Sequence, residues 1–157
     1  MAAVRIRPLT FGDAAAAASL IREAFAAQSR ATDPPPGALG ETAVSLAAKL
    51  AAGGGGGAEI DGALVGVMLW AEKEAALHLG RVCVLPGWRG QGIARALLAA
   101  GEAEARRRAI ATMTLRVRLT LDENQRLFAA FGFAPVGQGA HRGYSAPTFM
   151  VMEKRLD

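Results

Sequence analysis

The chain is poor in the residues that would mark a stapled, metal-bound or membrane-embedded protein. Its 157 residues include one cysteine, Cys83. A lone thiol forms no intramolecular disulfide and supplies no metal cluster, which agrees with a reducing compartment and a cytoplasmic location. No uncharged apolar run reaches the roughly 18 residues that a membrane helix needs, because Asp13, Arg22 and Glu23 interrupt the alanine-rich N-terminal segment. The start, Met1 to Arg7, carries charge and is not followed by a signal core, so a soluble chain with no membrane partner is expected. Aromatics make up only 6% of residues, with a single tyrosine, Tyr144.

What is present is a hydrophobic fraction of 52%, much of it alanine, at a mean hydropathy of +0.22. That suits one domain over residues 1–157 with a sizeable core. The formal net charge is +4 and the pI about 10.0, which fits either nucleic acid or a phosphorylated small ligand. The one dense basic cluster, Arg106-Arg107-Arg108, falls where a helix should end, and cations there offset the helix dipole. No zinc-finger spacing or RNP-like aromatic strand accompanies it, so no nucleic-acid partner is expected. Edge-strand pairing leaves no sequence signature, and monomer and homodimer both stay open.

Alternation of Val4 and Ile6 with Arg5 and Arg7 predicts a first strand. Thr10, with Asp13 three residues on, reads as a capping-box start for a helix carrying Ala17, Leu20, Ile21 and Phe25 and ending near Ala27. After Pro34-Pro35-Pro36, the spacing of Leu39, Ala43, Leu46 and Leu50 predicts a second helix. Five glycines, Gly53 to Gly57, lack the lysine and Ser/Thr of a P-loop and read as a flexible connector. Asp61-Gly62 marks a hairpin between Ala58–Ile60 and Ala63–Trp70, the second of these apolar enough from Leu64 to be buried on both faces. A turn at Glu72-Lys73-Glu74 leads to a strand over Ala76–Leu85, then a helix from Ile93 with Glu102/Arg106 and Glu104/Arg108 at ion-pair spacing. A strand over Thr112–Leu119 follows, then a short helix capped by Asp122 and stopped by Gly132. Strands at Phe133–Val136 and Thr148–Arg155, joined by the glycine-rich stretch Gly137–Ser145, complete the sheet.

The richest segment is Val84-Leu85-Pro86-Gly87-Trp88-Arg89-Gly90-Gln91-Gly92-Ile93-Ala94, a strand end, a glycine turn and a helix start. Backbone N–H groups and a helix N-terminus converge there, which makes an anion cradle. The dinucleotide fingerprint fits poorly: its third glycine position is Arg95, no acidic residue ends the next strand, and the preceding strands form hairpins rather than a βαβ unit. Arg89-Gly90-Gln91-Gly92-Ile93-Ala94 instead resembles the acetyl-CoA loop, Arg/Gln-x-x-Gly-x-Gly/Ala, of the GCN5-related N-acetyltransferases, with Arg89, Gly92 and Ala94 on its defined positions. The order of elements agrees over essentially the whole chain.

The resemblance implies an α/β fold of the α+β type, a mixed and mostly antiparallel sheet flanked by helices, with acetyl-CoA as cosubstrate held where the strands Ala76–Leu85 and Thr112–Leu119 splay. It places the pyrophosphate on the amides of Gly90, Gln91, Gly92, Ile93 and Ala94, with Arg89 helping to neutralise it. Val82, Cys83 and Val84 would line the pantetheine arm, with an amide near Val84 as oxyanion donor. The chemistry implied is direct transfer of the acetyl group to an amine. The family's tyrosine acid falls on Phe128, which donates no proton, and Tyr144 is the substitute acid in reserve. The family's asparagine position is Leu121, but Asn124 shares its helical face and is expected at the cofactor. His141, near Tyr144, is expected at the acceptor. Glu41, Glu72 and Glu74 are read as solvated charges rather than bases, and Cys83 as a buried strand residue rather than a thiol nucleophile. The base stays unassigned. Alternatives are another acyl-CoA, a hydroxyl acceptor, or a CoA-binding module that has lost catalysis.

Overall fold

The computed structural model describes residues 3–28 and 31–157; Met1, at the start of the chain, lies outside them. Strands β1 (Arg5–Pro8), β2 (Gly55–Ile60), β3 (Ala63–Lys73), β4 (Ala76–Val84), β5 (Thr112–Arg118), β6 (Ala134–Gly139) and β7 (Phe149–Arg155) form one sheet in the order β1-β2-β3-β4-β5-β7-β6. Every neighbour pair is antiparallel except β4 and β5. Helices α1 (Ala14–Ala26) and α2 (Ala43–Ala52) bury Leu20, Ile21, Leu46 and Leu50 in one core with Val67 and Leu69, whereas α3 (Ile93–Arg107) and α4 (Asp122–Ala130) join a second core that holds Met68 and Trp70. The pleat of β3 thus feeds both layers, as its unbroken apolar run predicts.

The expected mixed sheet flanked by helices is the observed one. Thr10 donates its backbone N–H to the Asp13 carboxylate (2.7 Å), although a 3-10 turn over Phe11–Asp13 precedes α1. The ion pairs Glu102–Arg106 (3.4 Å) and Glu104–Arg108 (2.6 Å) both form.

Several boundaries differ from the sequence reading, each for a local reason. The glycine run is not a flexible connector: Gly55–Gly57 are buried in β2, between β1 and β3. A Cβ on Gly55 would lie 2.6 Å from the Met68 carbonyl oxygen, backbone that cannot step aside, so the crowding there demands glycine, while one on Gly57 would press at 2.8 Å on the tip of Leu64. The second helix starts at Ala43 rather than Leu39, because Thr42 and Ser45 cap it reciprocally and Gly37–Gly40 makes a 3-10 turn. The turn after β3 is Glu74-Ala75, both at positive φ, so Glu72 and Lys73 stay in the strand. Asp122 is the first residue of α4 rather than its cap, which is Leu121. Gly132 does stop that helix, with Phe133 N–H donating to Phe128 O and Gly132 N–H to Ala129 O, each at 3.0 Å. The last connection is shorter than expected, because β6 continues to Gly139.

One feature of the sheet shapes everything near the motif. The pairing of β4 with β5 is confined to Leu77–Met113, His78–Thr114 and Leu79–Leu115. Arg81 then adopts a positive φ of 52° and the β3–β4 register slips, a bulge that turns the rest of β4 away from β5. The two strands part into a V.

Candidate active site

At the foot of that V, β4 ends in a 3-10 turn, Pro86–Trp88, followed by Arg89 and the glycine loop. Gly90 and Gly92 sit at φ 76° and 80°, in the left-handed region that other residues avoid. Gly92 is the N-cap of α3, and Ala96 N–H is bonded to Gly92 O at 3.0 Å. The N–H groups of Ile93, Ala94 and Arg95 therefore have no partner inside the helix. A fifteen-residue helix aims its positive end at the same place.

Strand alternation exposes a second set of backbone groups. Leu85 donates its N–H to Val65 on β3 at 2.8 Å. The N–H of Val84, and by the same period that of Val82, consequently faces the opening on the β5 side. A groove of about 350 Å³ runs from these residues to the loop. It is lined by Val82, Cys83, Val84, Arg89, Gly90, Gly92, Ile93, Ala94, Asn124 and Phe128, so the fold gathers every residue expected at the cofactor except Gln91, which lies outside the lining.

Arg89 reaches the site differently from the sequence expectation. Its guanidinium donates to Val84 O (3.1 Å), Ala27 O (3.1 Å) and Ala24 O (2.9 Å). The side chain thus ties the end of α1 to the start of the loop, compensating the negative end of that helix. Cys83 packs against the α1–α2 core, and burial pushes its thiol up to about 12, leaving no thiolate for nucleophilic attack.

A second cavity, of about 600 Å³, opens on the other side of the V, walled by the 32–37 segment, β4, β5 and the β6–β7 connection. Phe25, Gln28, Val82, Leu121, Asn124 and Phe128 line both spaces and form their junction. None of the six titrates. Phe128 is buried and meets Phe133 edge-on, with ring centroids 6.3 Å apart.

His141 lines the larger cavity, its ring against Phe149 and its backbone N–H on Thr148 Oγ1 at 2.9 Å. Tyr144 lines neither space. Its exposed hydroxyl donates to Asp33 Oδ1, and this bond raises the phenol above its ordinary value. Glu41 is no solvated charge: it is 3% exposed and accepts from Ser45 Oγ (2.6 Å), Lys49 and Arg81 Nε (2.7 Å). Desolvation opposes its charge, but those bonds outweigh it and hold the carboxyl down at about 2. Glu72 pairs with Arg108 at 3.1 Å, away from both cavities.

Besides His141, the larger cavity takes His78, which the sequence places only on a strand face, and Arg116 and Arg118. His78 lines it, with Nδ1 3.2 Å from Thr114 Oγ1. Burial, then Lys73 and Arg116, lower its pKa; burial and Arg118 and Arg116 do the same for His141. Arg116 and Arg118 were legible only as the polar face of a strand, because the widening beside them comes from the bulge in β4.

A sheet split at its fourth and fifth strands, with an N–H-lined loop at the split, is the arrangement that the resemblance to the acetyl-CoA-dependent transferases implies. The Acetyltransferase (GNAT) family model matches residues 21–133, and the chain belongs to that family, the acetyl-CoA-dependent N-acetyltransferases. Solved structures agree on the fold. The PaiA N-acetyltransferase of Thermoplasma acidophilum, in complex with coenzyme A, superposes with a TM-score of 0.82 at 17% identity, covering 98% of this chain and 99% of its own. The ribosomal-protein-S18-alanine N-acetyltransferase of Escherichia coli gives 0.77 at 18%, over 99% and 95%. yncA of Salmonella typhimurium, a candidate acetyltransferase solved with its cofactor acetyl-CoA, gives 0.74 at 22%, over 99% and 95%. No curated protein matches the chain significantly. Among the described residues, no helix is long and apolar enough to cross a membrane.

Proposed function

We propose that the chain transfers the acetyl group of acetyl-CoA directly to an amine at the junction of the two cavities. The observation that carries this reading is the shared wall itself. A cofactor laid along the groove, with its pyrophosphate on the 90–94 amides, brings its thioester to Val82 and Phe128, where the larger cavity begins. Pantetheine takes the place of the missing β5 neighbour beside Val82 and Val84, and the Val84 N–H serves as the oxyanion donor.

The amine nitrogen attacks the thioester carbon, the carbonyl electrons move to oxygen, and collapse expels the CoA thiolate. The amine proton passes to an imidazole. His78 and His141 both border the acceptor space and are both held below the ordinary histidine value, so each is neutral and able to accept a proton at pH 7. The departing sulfur needs little help, because an ordinary thiol has a pKa of about 8.5. Asn124, at the junction, offers its carboxamide N–H as a hydrogen bond to that sulfur, and solvent completes the protonation. A reducing compartment, the cytoplasm, suits the unpaired Cys83.

The test is acetyl-CoA with a panel of amines, followed by release of free thiol. Gly92→Glu puts a side chain at positive φ and a negative charge in the cradle. Titration calorimetry should show CoA affinity falling by at least about 100-fold, a coupling typical of losing charge-assisted contacts. Unchanged affinity in a folded variant would sink the cofactor assignment. Tight CoA binding with no turnover of any amine or alcohol would favour a binding module.

A further inference from the structure

We infer that the acceptor is an amine carrying its own anionic group, a carboxylate or phosphate, which the larger cavity holds with Arg116, Arg118 and Arg142. This deepens the transferase reading and rests on it. Among the described residues the cavity is lined by Arg81, Arg116, Arg118, Arg142 and two histidines, and by no aspartate or glutamate. A polycationic or simple cationic acceptor would meet repulsion there and find no carboxylate to hold its ammonium.

Three of the four arginines make no ion pair among the described residues. Arg81 is neutralised by Glu41. Arg118 donates to two carbonyls, Pro34 O and Pro35 O, and leaves other guanidinium N–H groups unused. Burial lowers its pKa, the mark of a cation partly stripped of water without a paired carboxylate. Asp33 acts on Arg118 only through space, its Oδ1 being taken by Tyr144. Arg116 lies over the Phe149 ring at 4.6 Å, and neither it nor Arg142 makes an ion pair among the described residues.

The strand register explains why two of these cations converge. Thr114, Arg116 and Arg118 share one face of β5, and His78 reaches that face through its bond to Thr114. Phe149 stands opposite Arg118 on β7, and His141 packs on Phe149 from the connection above. Glu153, the carboxylate of that face, is opposite Thr114, two residues back from Arg116, and forms no ion pair among the described residues. Thr32 adds a hydroxyl on the cavity wall with no hydrogen-bond partner among the described residues. An anion seated between Arg116 and Arg118 would satisfy the guanidinium forks in the planar fashion that carboxylate and phosphate favour.

The experiment compares kcat/KM for four amine classes with acetyl-CoA: an amino carboxylate, a phosphorylated amino alcohol, an uncharged amino alcohol and a linear polyamine. The anionic classes should exceed the uncharged one by about 10- to 100-fold, the range of one or two charge-assisted bonds. Whichever of the two leads identifies the anion. Arg116→Gln and Arg118→Gln should each raise KM for the anionic amine while the ratio of anionic to uncharged kcat/KM collapses. Arg116→Glu should invert that preference, an outcome that mere loosening of the fold would not produce. Preference for the uncharged amine or the polyamine in the parent protein would overturn the inference and leave the transferase reading standing. Binding of the amino carboxylate to the CoA-loaded protein, lost in Arg118→Gln but without any turnover, would do the reverse. Neither binding nor turnover of an anionic amine would overturn it as well.

Discussion

Phe128 occupies the point where the resemblance led one to expect a proton donor, and its buried, edge-packed ring cannot act as one. Tyr144, the only tyrosine, is hydrogen-bonded to Asp33 and borders neither cavity. A thiolate with a pKa near that of an ordinary thiol, about 8.5, departs without being protonated first. Tyr144→Phe should therefore leave kcat within about twofold of the parent protein in a steady-state thiol-release assay, the size expected of a surface hydrogen bond. A loss of about 100-fold or more, as general acids supply, with CoA binding intact would restore the tyrosine as the acid. Arg89 teaches a related lesson. A loop arginine beside an anion cradle invites an electrostatic role, yet its fork is spent on carbonyls of α1 and β4.

Among the elements, β2 departs furthest from its sequence signature. Glycine runs favour flexible chain because they lose the most entropy on ordering. Here the cost is accepted because a Cβ at Gly55 or Gly57 would collide with Leu9 and with atoms of β3. Gly55→Ala would put a methyl 2.6 Å from the Met68 carbonyl and about as close to Leu9 and Leu69 side chains, at 3.0 Å. Backbone cannot step aside cheaply, so the variant should lose about 1–3 kcal/mol and melt lower by some 2–4 °C per kcal/mol. An unchanged melting temperature in a calorimetric scan would show that the strand can shift. The alternating and helical patterns of β3, α1, α3 and β5 were legible because their burial is one-sided or uniform along the element. β2 was not, since the reason for its composition lies in the neighbours. Likewise the cradle could be read from Arg89 to Ala94, being local, whereas Arg116 and Arg118 become cavity residues only through a bulge at Arg81 on the neighbouring strand, the strand that also carries His78.

The molecule as a whole is a sheet that is complete at neither β4 nor β5. Two strands pair over Leu77–Leu79 and Met113–Leu115, then part, and the two cavities occupy the space between. Helices on both faces and the Arg89 tie hold that gap open, while the Glu41 cluster braces α2 against β4 through Lys49 and Arg81. On the proposed reading the cofactor takes one cavity and the acceptor the other, and the two would meet over a wall of six residues without a titrating group among them.

The parted strands also mean that this protein carries a sheet edge on its inside. Edges elsewhere are hazards because their unpaired amides recruit other chains; this one is enclosed and reserved. Its state should be visible to hydrogen–deuterium exchange read residue by residue. In the unliganded protein the amides of Val82 and Val84 should exchange faster than that of Leu85, which is bonded to Val65. Adding acetyl-CoA should slow the first two selectively, as though the sheet had gained an eighth strand made of cofactor; equal protection before and after would mean that the inner edge is already closed.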